Sequence, residues 1–141
     1  MSRASRFAFI SSDTPDARAA LESLSARYGQ LPVAEADIVV ALGGDGFLLQ
    51  ALRETMSTGK KVFGMNRGTI GFLMNEYRSA GLPERIAAAQ SETIRPLEME
   101  AISSTGDRVL ALAINEVALW RQSYQTAKIR ISVDGKVRIE E

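Results

Sequence analysis

The sequence has no cysteine and no histidine among its 141 residues. Without cysteine there is no disulfide framework, no thiolate nucleophile and no Cys-built zinc or iron–sulfur site. Without histidine, the Ser-His-Asp triad, the Cys-His pair and the usual zinc ligands are excluded. Acid–base chemistry is left to Asp, Glu, Lys or Tyr. A metal, if one is used, must be hard and oxygen-bound, which points to Mg²⁺. An excess of charge is lacking too: 17 Lys and Arg stand against 17 Asp and Glu. Proteins that bind nucleic acid by neutralising phosphates are usually basic, so no nucleic-acid partner is expected. No apolar run approaches the roughly 18 residues of a membrane span. The start, Met1 to Arg6, lacks the apolar core of a signal peptide. No membrane partner is expected, and the cytoplasm is the default compartment.

What is present is ordinary for a soluble domain: 45% hydrophobic and 24% charged residues. The length suits one domain, or one domain and part of another, with a real hydrophobic core. The first half reads as alternating strands and helices. Phe7–Ile10 is a short apolar run. Thr14-Pro15 places an N-cap before a proline at the first helical position. Leu21, Leu24 and Tyr28 follow at helical spacing, and Gly29 is a natural stop. Ile38–Leu42 is a continuous, β-branched-rich run of the kind found in buried parallel strands. It leads directly into Gly43-Gly44-Asp45-Gly46. Phe47, Leu48, Ala51 and Leu52 then mark a helix face. Lys61–Met65 reads as the next strand, Asn66–Gly71 as a glycine-spaced loop, and Pro83 opens a helix that reaches Gln90.

After Pro96 the pattern becomes antiparallel. Glu98–Ile102 alternates, Ser103–Asp107 makes a turn, and Val109–Trp120 is a long strand candidate. Ile129, Ile131 and Val133 alternate with polar residues up to the hairpin turn Asp134-Gly135, and Val137 and Ile139 resume the alternation. The expected fold class is α/β. A Rossmann-like, parallel-sheet domain over residues 1–96 is followed by the start of an antiparallel, β-rich domain over residues 97–141. Glu141 ends inside a strand pattern, and a few antiparallel strands need something to pack on. The natural protein is therefore expected to run further.

Three motifs carry the chemistry. Gly43-Gly44-Asp45-Gly46 joins a strand to a helix, and ligands of open α/β sheets bind at the carboxyl ends of strands. Glycines there let N–H groups approach phosphate oxygens at a helix N-terminus. A carboxylate adds nothing to phosphate holding. Asp45 is more useful as a base for a hydroxyl, or as an anchor for ribose or Mg²⁺; the plain alternative is a tight turn with Asp45 as helix N-cap. In Gly64–Leu73, three glycines in eight positions suggest close backbone approach to a ligand or to another loop. Phe72 either stacks on a base or anchors the core. Neither a Walker A loop nor a convincing Gly-x-Gly-x-x-Gly fingerprint is present. Asn115-Glu116 interrupts an apolar run. It serves either sugar-hydroxyl recognition or a bulge or strand end whose side chains satisfy backbone groups. Arg121, Lys128 and Arg130 read as a solvated face.

Taken together, Gly43-Gly44-Asp45-Gly46, Gly64-Met65-Asn66 through Gly71-Phe72-Leu73, and Asn115-Glu116-Val117 resemble the NAD kinase family in order and spacing. The resemblance implies transfer of the γ-phosphoryl of ATP to the 2′-hydroxyl of the adenosine ribose of NAD, with Mg²⁺ or another divalent cation accompanying ATP. NAD and ATP, or polyphosphate, would be the substrates, and the full-length protein would be a homo-oligomer. By the same resemblance Asp45 would be the catalytic base. Gly43, Gly44 and Gly46 would line the phosphate loop. Asp45, Gly46, Phe72, Asn115 and Glu116 would bind NAD. No residue is assigned as a metal ligand. This chain departs from the common pattern at three places. Phe47 stands where Thr often follows the first loop, Gln50 where a basic residue often lies, and Met65 makes Gly-Met-Asn of the commoner Gly-Ile-Asn. The family also carries a C-terminal part with a second glycine-rich segment that closes over NAD, so this stretch alone is expected to be inactive. Two other readings stand beside this one: a lipid or sugar kinase sharing the Gly-Gly-Asp-Gly loop, and a non-catalytic nucleotide-binding module.

Overall fold

A computed structural model describes residues 5–68 and 71–140. Thr69 and Ile70 of the second glycine loop, and the terminal Glu141, lie outside the described residues.

The first half is built on a parallel three-stranded sheet in the order β1-β2-β3. Strand β1 is Phe7–Ser11, β2 is Ile38–Gly43 and β3 is Lys61–Asn66. Phe9 pairs with Val40, and Val40 with Phe63. Because side chains alternate along a strand, the sheet has two distinct apolar faces. One carries Phe7, Phe9, Val40, Leu42, Phe63 and Met65, and packs on Ala17, Ala20 and Leu24 of helix α1 (Pro15–Tyr28) and Leu82 of α3 (Leu82–Ala88). The other carries Ile10, Ala41 and Val62 and packs on Leu48 and Ala51 of α2 (Asp45–Thr55). Strand β2 is thus covered on both sides, and Val39 through Leu42 are fully buried. This is why Ile38–Leu42 is unbroken by polar residues.

Local signals set the helix ends. Thr14 is extended (φ −72°, ψ 145°) and its Oγ1 accepts from Ala17 N at 3.4 Å. At the other end Gly29 takes φ 80°, outside the range most side chains tolerate. The edge of the sheet beside β1 is closed by Leu31 N, which donates to Phe7 O at 3.2 Å, and by the Gln30 side chain. Phe9 N donates to Gln30 Oε1 at 2.9 Å, and Gln30 Nε2 donates to Phe9 O at 3.0 Å. The Gln30 amide stands in for a missing strand and satisfies both backbone groups of Phe9.

The second half forms two antiparallel hairpins. Strands β4 (Leu97–Ile102) and β5 (Arg108–Ala113) pair first. Strands β6 (Ile131–Val133) and β7 (Lys136–Ile139) then pair across Asp134-Gly135, whose φ values of 52° and 74° suit a tight hairpin turn. Two expectations need correction. The strand read over Val109–Trp120 runs only over Arg108–Ala113. Asn115 sits at φ 90°, a conformation that cannot continue a strand. The alternation read from Ile129 pairs only from Ile131. Leu97, Leu110, Leu119, Trp120 and Tyr124 are exposed.

Gln30→Ala leaves a part-buried N–H and C=O of Phe9 without their partner. It should lower stability by about 1–3 kcal/mol in urea unfolding. An unchanged midpoint would show that water replaces the amide at no cost.

Candidate active site

The site lies at the carboxyl edge of the sheet, where β2 ends at Gly43. Helix α2 begins at Asp45, and its N-cap is Gly44, at φ −109° and ψ −177°, with no side-chain cap. Asp45 is therefore inside the first turn, and the N-cap reading of its carboxylate does not hold. The carboxylate crosses to the second glycine loop instead. Phe72 N donates to Asp45 Oδ2 at 2.8 Å, and Leu73 N donates to Oδ1 at 3.1 Å. Both oxygens are held by backbone N–H groups 27 and 28 residues away in the chain. A carboxylate offers about four acceptor positions, so two remain for a further donor.

Glycine is required at this crossing. A Cβ on Gly71 would run into the Asp45 carboxylate. The demand is for space, since its φ is not in the left-handed region. Gly43 is a packing glycine: a Cβ there would stand 3.0 Å from the Cβ of Phe47 and 3.1 Å from its ring. Gly44 and Gly46 differ, with nothing within 4 Å of a Cβ position. They present open backbone at the uncapped start of α2, where the first N–H groups of a helix lack intrahelical acceptors.

Short hydrogen bonds fix the second loop to the first and to β3. Arg67 N donates to Gly43 O at 2.8 Å, Asn66 N to Asn75 O at 2.8 Å, and Asn75 N to Gly64 O at 2.9 Å. The Asn75 Nδ2 also reaches Gly64 O at 3.0 Å. Further out, Arg85 Nη2 donates to Glu76 O at 2.6 Å, and Arg85 Nη1 to Arg78 O at 3.3 Å. Within this frame the Phe72 ring is 99% exposed. The core-anchor reading of Phe72 is thereby overturned. The backbone N–H of Phe72 holds Asp45 while its ring stands in solvent beside the loop.

Two clefts flank the site. The larger, about 580 Å³, is lined by Asp16, Asn66, Arg67, Asn75, Glu76 and Tyr77 among others. It contains no residue of Gly43–Gly46. The smaller, about 430 Å³, brings Gly46, Gln50, Arg53 and Glu54 of α2 together with Ile114, Asn115 and Glu116. Only Ile114 of that second segment is buried. It lies just past the end of β5, and Asn115 and Glu116 follow it to line the cleft opposite α2. Asp45 does not line this cleft; the structure joins it to Gly71–Leu73, and joins Gly46 to Asn115 and Glu116. Among the described residues, no group of three or more His, Cys, Asp or Glu side chains could hold a metal ion. No described helix is long and apolar enough to cross a membrane. Leu73 and Gly71, as partners of Asp45, escaped the reading of the sequence. A glycine two residues ahead of an N–H donor is a signal only once the other loop is known to face it. Arg121, Lys128 and Arg130 lie in an exposed stretch.

These features define an α/β domain with paired glycine loops at the carboxyl edge of a parallel sheet, the place where such sheets take nucleotides. Residues 11–89 match the family described as the ATP-NAD kinase N-terminal domain. The NAD kinase of Mesorhizobium japonicum is 79% identical over 138 residues, 98% of this chain and 54% of that protein. The NAD kinase of Brucella suis biovar 1 is 59% identical over 133 residues, 94% of this chain and 52% of the relative. That of Caulobacter vibrioides is 54% identical over 136 residues, 96% and 52% respectively. The chain belongs to the NAD kinase family. It spans about half the length of the curated relatives it matches.

Gly71→Ala should push the carboxylate off the two N–H groups. Amide exchange at Phe72 and Leu73 should then accelerate about ten- to hundredfold, the range for losing a hydrogen bond to a charged group. Unchanged exchange by NMR would show that the carboxylate does not hold this loop.

Proposed function

We propose that this chain is the part of an NAD kinase that carries the catalytic base. With a second half like that of its relatives, it would transfer the γ-phosphoryl of ATP to the 2′-hydroxyl of the adenosine ribose of NAD. The observation that supports this best is the Asp45 carboxylate, held on two backbone N–H groups at the end of β2 with acceptor positions to spare.

In this reading the ribose hydroxyl donates to one of those free positions. Its oxygen attacks the γ-phosphorus, the bond to the bridging oxygen of ATP breaks, and the proton passes to Asp45. In-line transfer needs little more from the protein than alignment, charge neutralisation and a base beside the acceptor oxygen. The open backbone of Gly44 and Gly46 receives phosphate oxygens, and Gly43 keeps the turn tight against Phe47. The exposed Phe72 ring offers its face to the adenine. Asn115 and Glu116 accept ribose hydroxyls from across the cleft.

A divalent cation would accompany ATP and neutralise phosphate charge. The chain's own carboxylates near the site, Asp45, Glu54 and Glu116, suit an ion that arrives on the phosphates better than one caged by protein. Residues 1–96 would form the nucleotide-binding domain and 97–141 the beginning of the β-rich one. Polyphosphate as an alternative donor, homo-oligomeric assembly and a cytoplasmic setting are carried in the same proposal from the reading of the sequence.

The test joins this chain to the second half of the Mesorhizobium japonicum protein and measures NADP formation from NAD and Mg-ATP. Asp45→Asn should lower kcat by at least about 10²-fold, the lower end of general-base contributions. Retained turnover would remove Asp45 from the role of base. No NADP from the unsubstituted protein would overturn the reaction.

A further inference from the structure

Arg53 is the cation of the smaller cleft. That cleft is lined on one side by Gly46, Leu49, Gln50, Arg53 and Glu54. Positions 46, 49, 50 and 53 fall on one face of α2, since residues three, four and seven apart share a helix face. Of the other charged groups there, Glu54 is held by Gln50, whose Nε2 donates to its Oε1 at 2.9 Å. Glu116 stands on the opposite wall with Asn115. Arg53 is exposed, and no hydrogen bond or ion pair ties its guanidinium among the described residues. An exposed arginine that makes no hydrogen bond or ion pair, yet lines a cleft beginning at an uncapped helix start, is available to a ligand.

We infer that Arg53 binds the phosphate chain of the phosphoryl donor. This rests on the kinase reading above and adds to it the residue that grips the donor. Two turns of helix separate Gly46 from Arg53, roughly 10 Å along the axis. Side chains on a helix lean toward its N-terminus, which shortens that gap. One phosphate at the open backbone of Gly46 leaves Arg53 unused; a chain of linked phosphates lying along α2 reaches both. The opposite wall, with an amide and a carboxylate, suits hydroxyl groups, so donor phosphates and acceptor ribose divide the cleft by chemistry. The fork of a guanidinium matches phosphate oxygens better than a point charge does. Gln50, one turn nearer the loop, carries no charge, so the cationic part of this face falls to Arg53.

The test uses the joined protein of relatives' length, with initial rates over ranges of ATP and NAD. Arg53→Gln should raise the KM for ATP about ten- to hundredfold, the loss expected for a charged hydrogen bond. The KM for NAD should stay within about twofold. Arg53→Lys, which keeps the charge but not the fork, should recover only part of the loss. The penalty of Arg53→Gln should shrink as salt screens the charge in the unsubstituted protein. An unchanged KM for ATP in Arg53→Gln overturns the assignment while leaving the kinase reading intact. A rise in the KM for NAD alone also overturns it, and gives Arg53 to the acceptor's pyrophosphate. Absence of NADP formation in the unsubstituted protein overturns the kinase reading and this inference with it.

Discussion

Strand β2 is buried on both faces, and the rest of the structure depends on that burial. A strand covered by α1 and α3 on one side and α2 on the other brings no side chain to solvent from Val39 onward. Its only exit is its carboxyl end. That end is Gly43, and the next residues are those with open backbone and a carboxylate. The chemistry stands at the rim because nowhere else along β2 can meet a ligand. The same packing explains the small residues there: Gly43 turns the chain against the Phe47 ring without room for a methyl group.

The Asp45 carboxylate then does what backbone hydrogen bonding does elsewhere in the sheet. It ties the start of α2 to the segment after β3 by accepting from two amides. Those amides have no strand partner, since the chain has left β3, and a carboxylate is the strongest acceptor available to them. One side chain serves two ends. It organises the second glycine loop, and it leaves unused acceptor positions facing outward. The exposed Phe72 ring is a product of the same contact, because pinning its N–H against α2 fixes where its side chain emerges.

Much of the fold was legible in the residues. The β-branched run Ile38–Leu42 has the pattern of a buried parallel strand and is one, Thr14-Pro15 opens α1 as capping chemistry requires, and Asp134-Gly135 makes the hairpin it promises. Asn115 was not legible, because an apolar stretch on either side reads as one strand whatever the backbone does in the middle. Its φ of 90° follows directly on the buried Ile114. The site was legible in its glycines and in Asp45, and illegible in its pairing. Nothing in residues 43–46 says that their carboxylate is spoken for by residues 72 and 73. Arg53 was hidden for a similar reason, since an arginine on a helix surface acquires meaning only from the wall that faces it.

The span of the Asp45 contact has a consequence for how the site comes into being. It closes a loop of 27 residues, and closing a loop of that size costs chain entropy that two hydrogen bonds alone do not recover. The contact therefore needs β2, α2 and β3 docked so that the two glycine segments meet, and the geometry of the site belongs to the strand–helix–strand unit rather than to either segment alone.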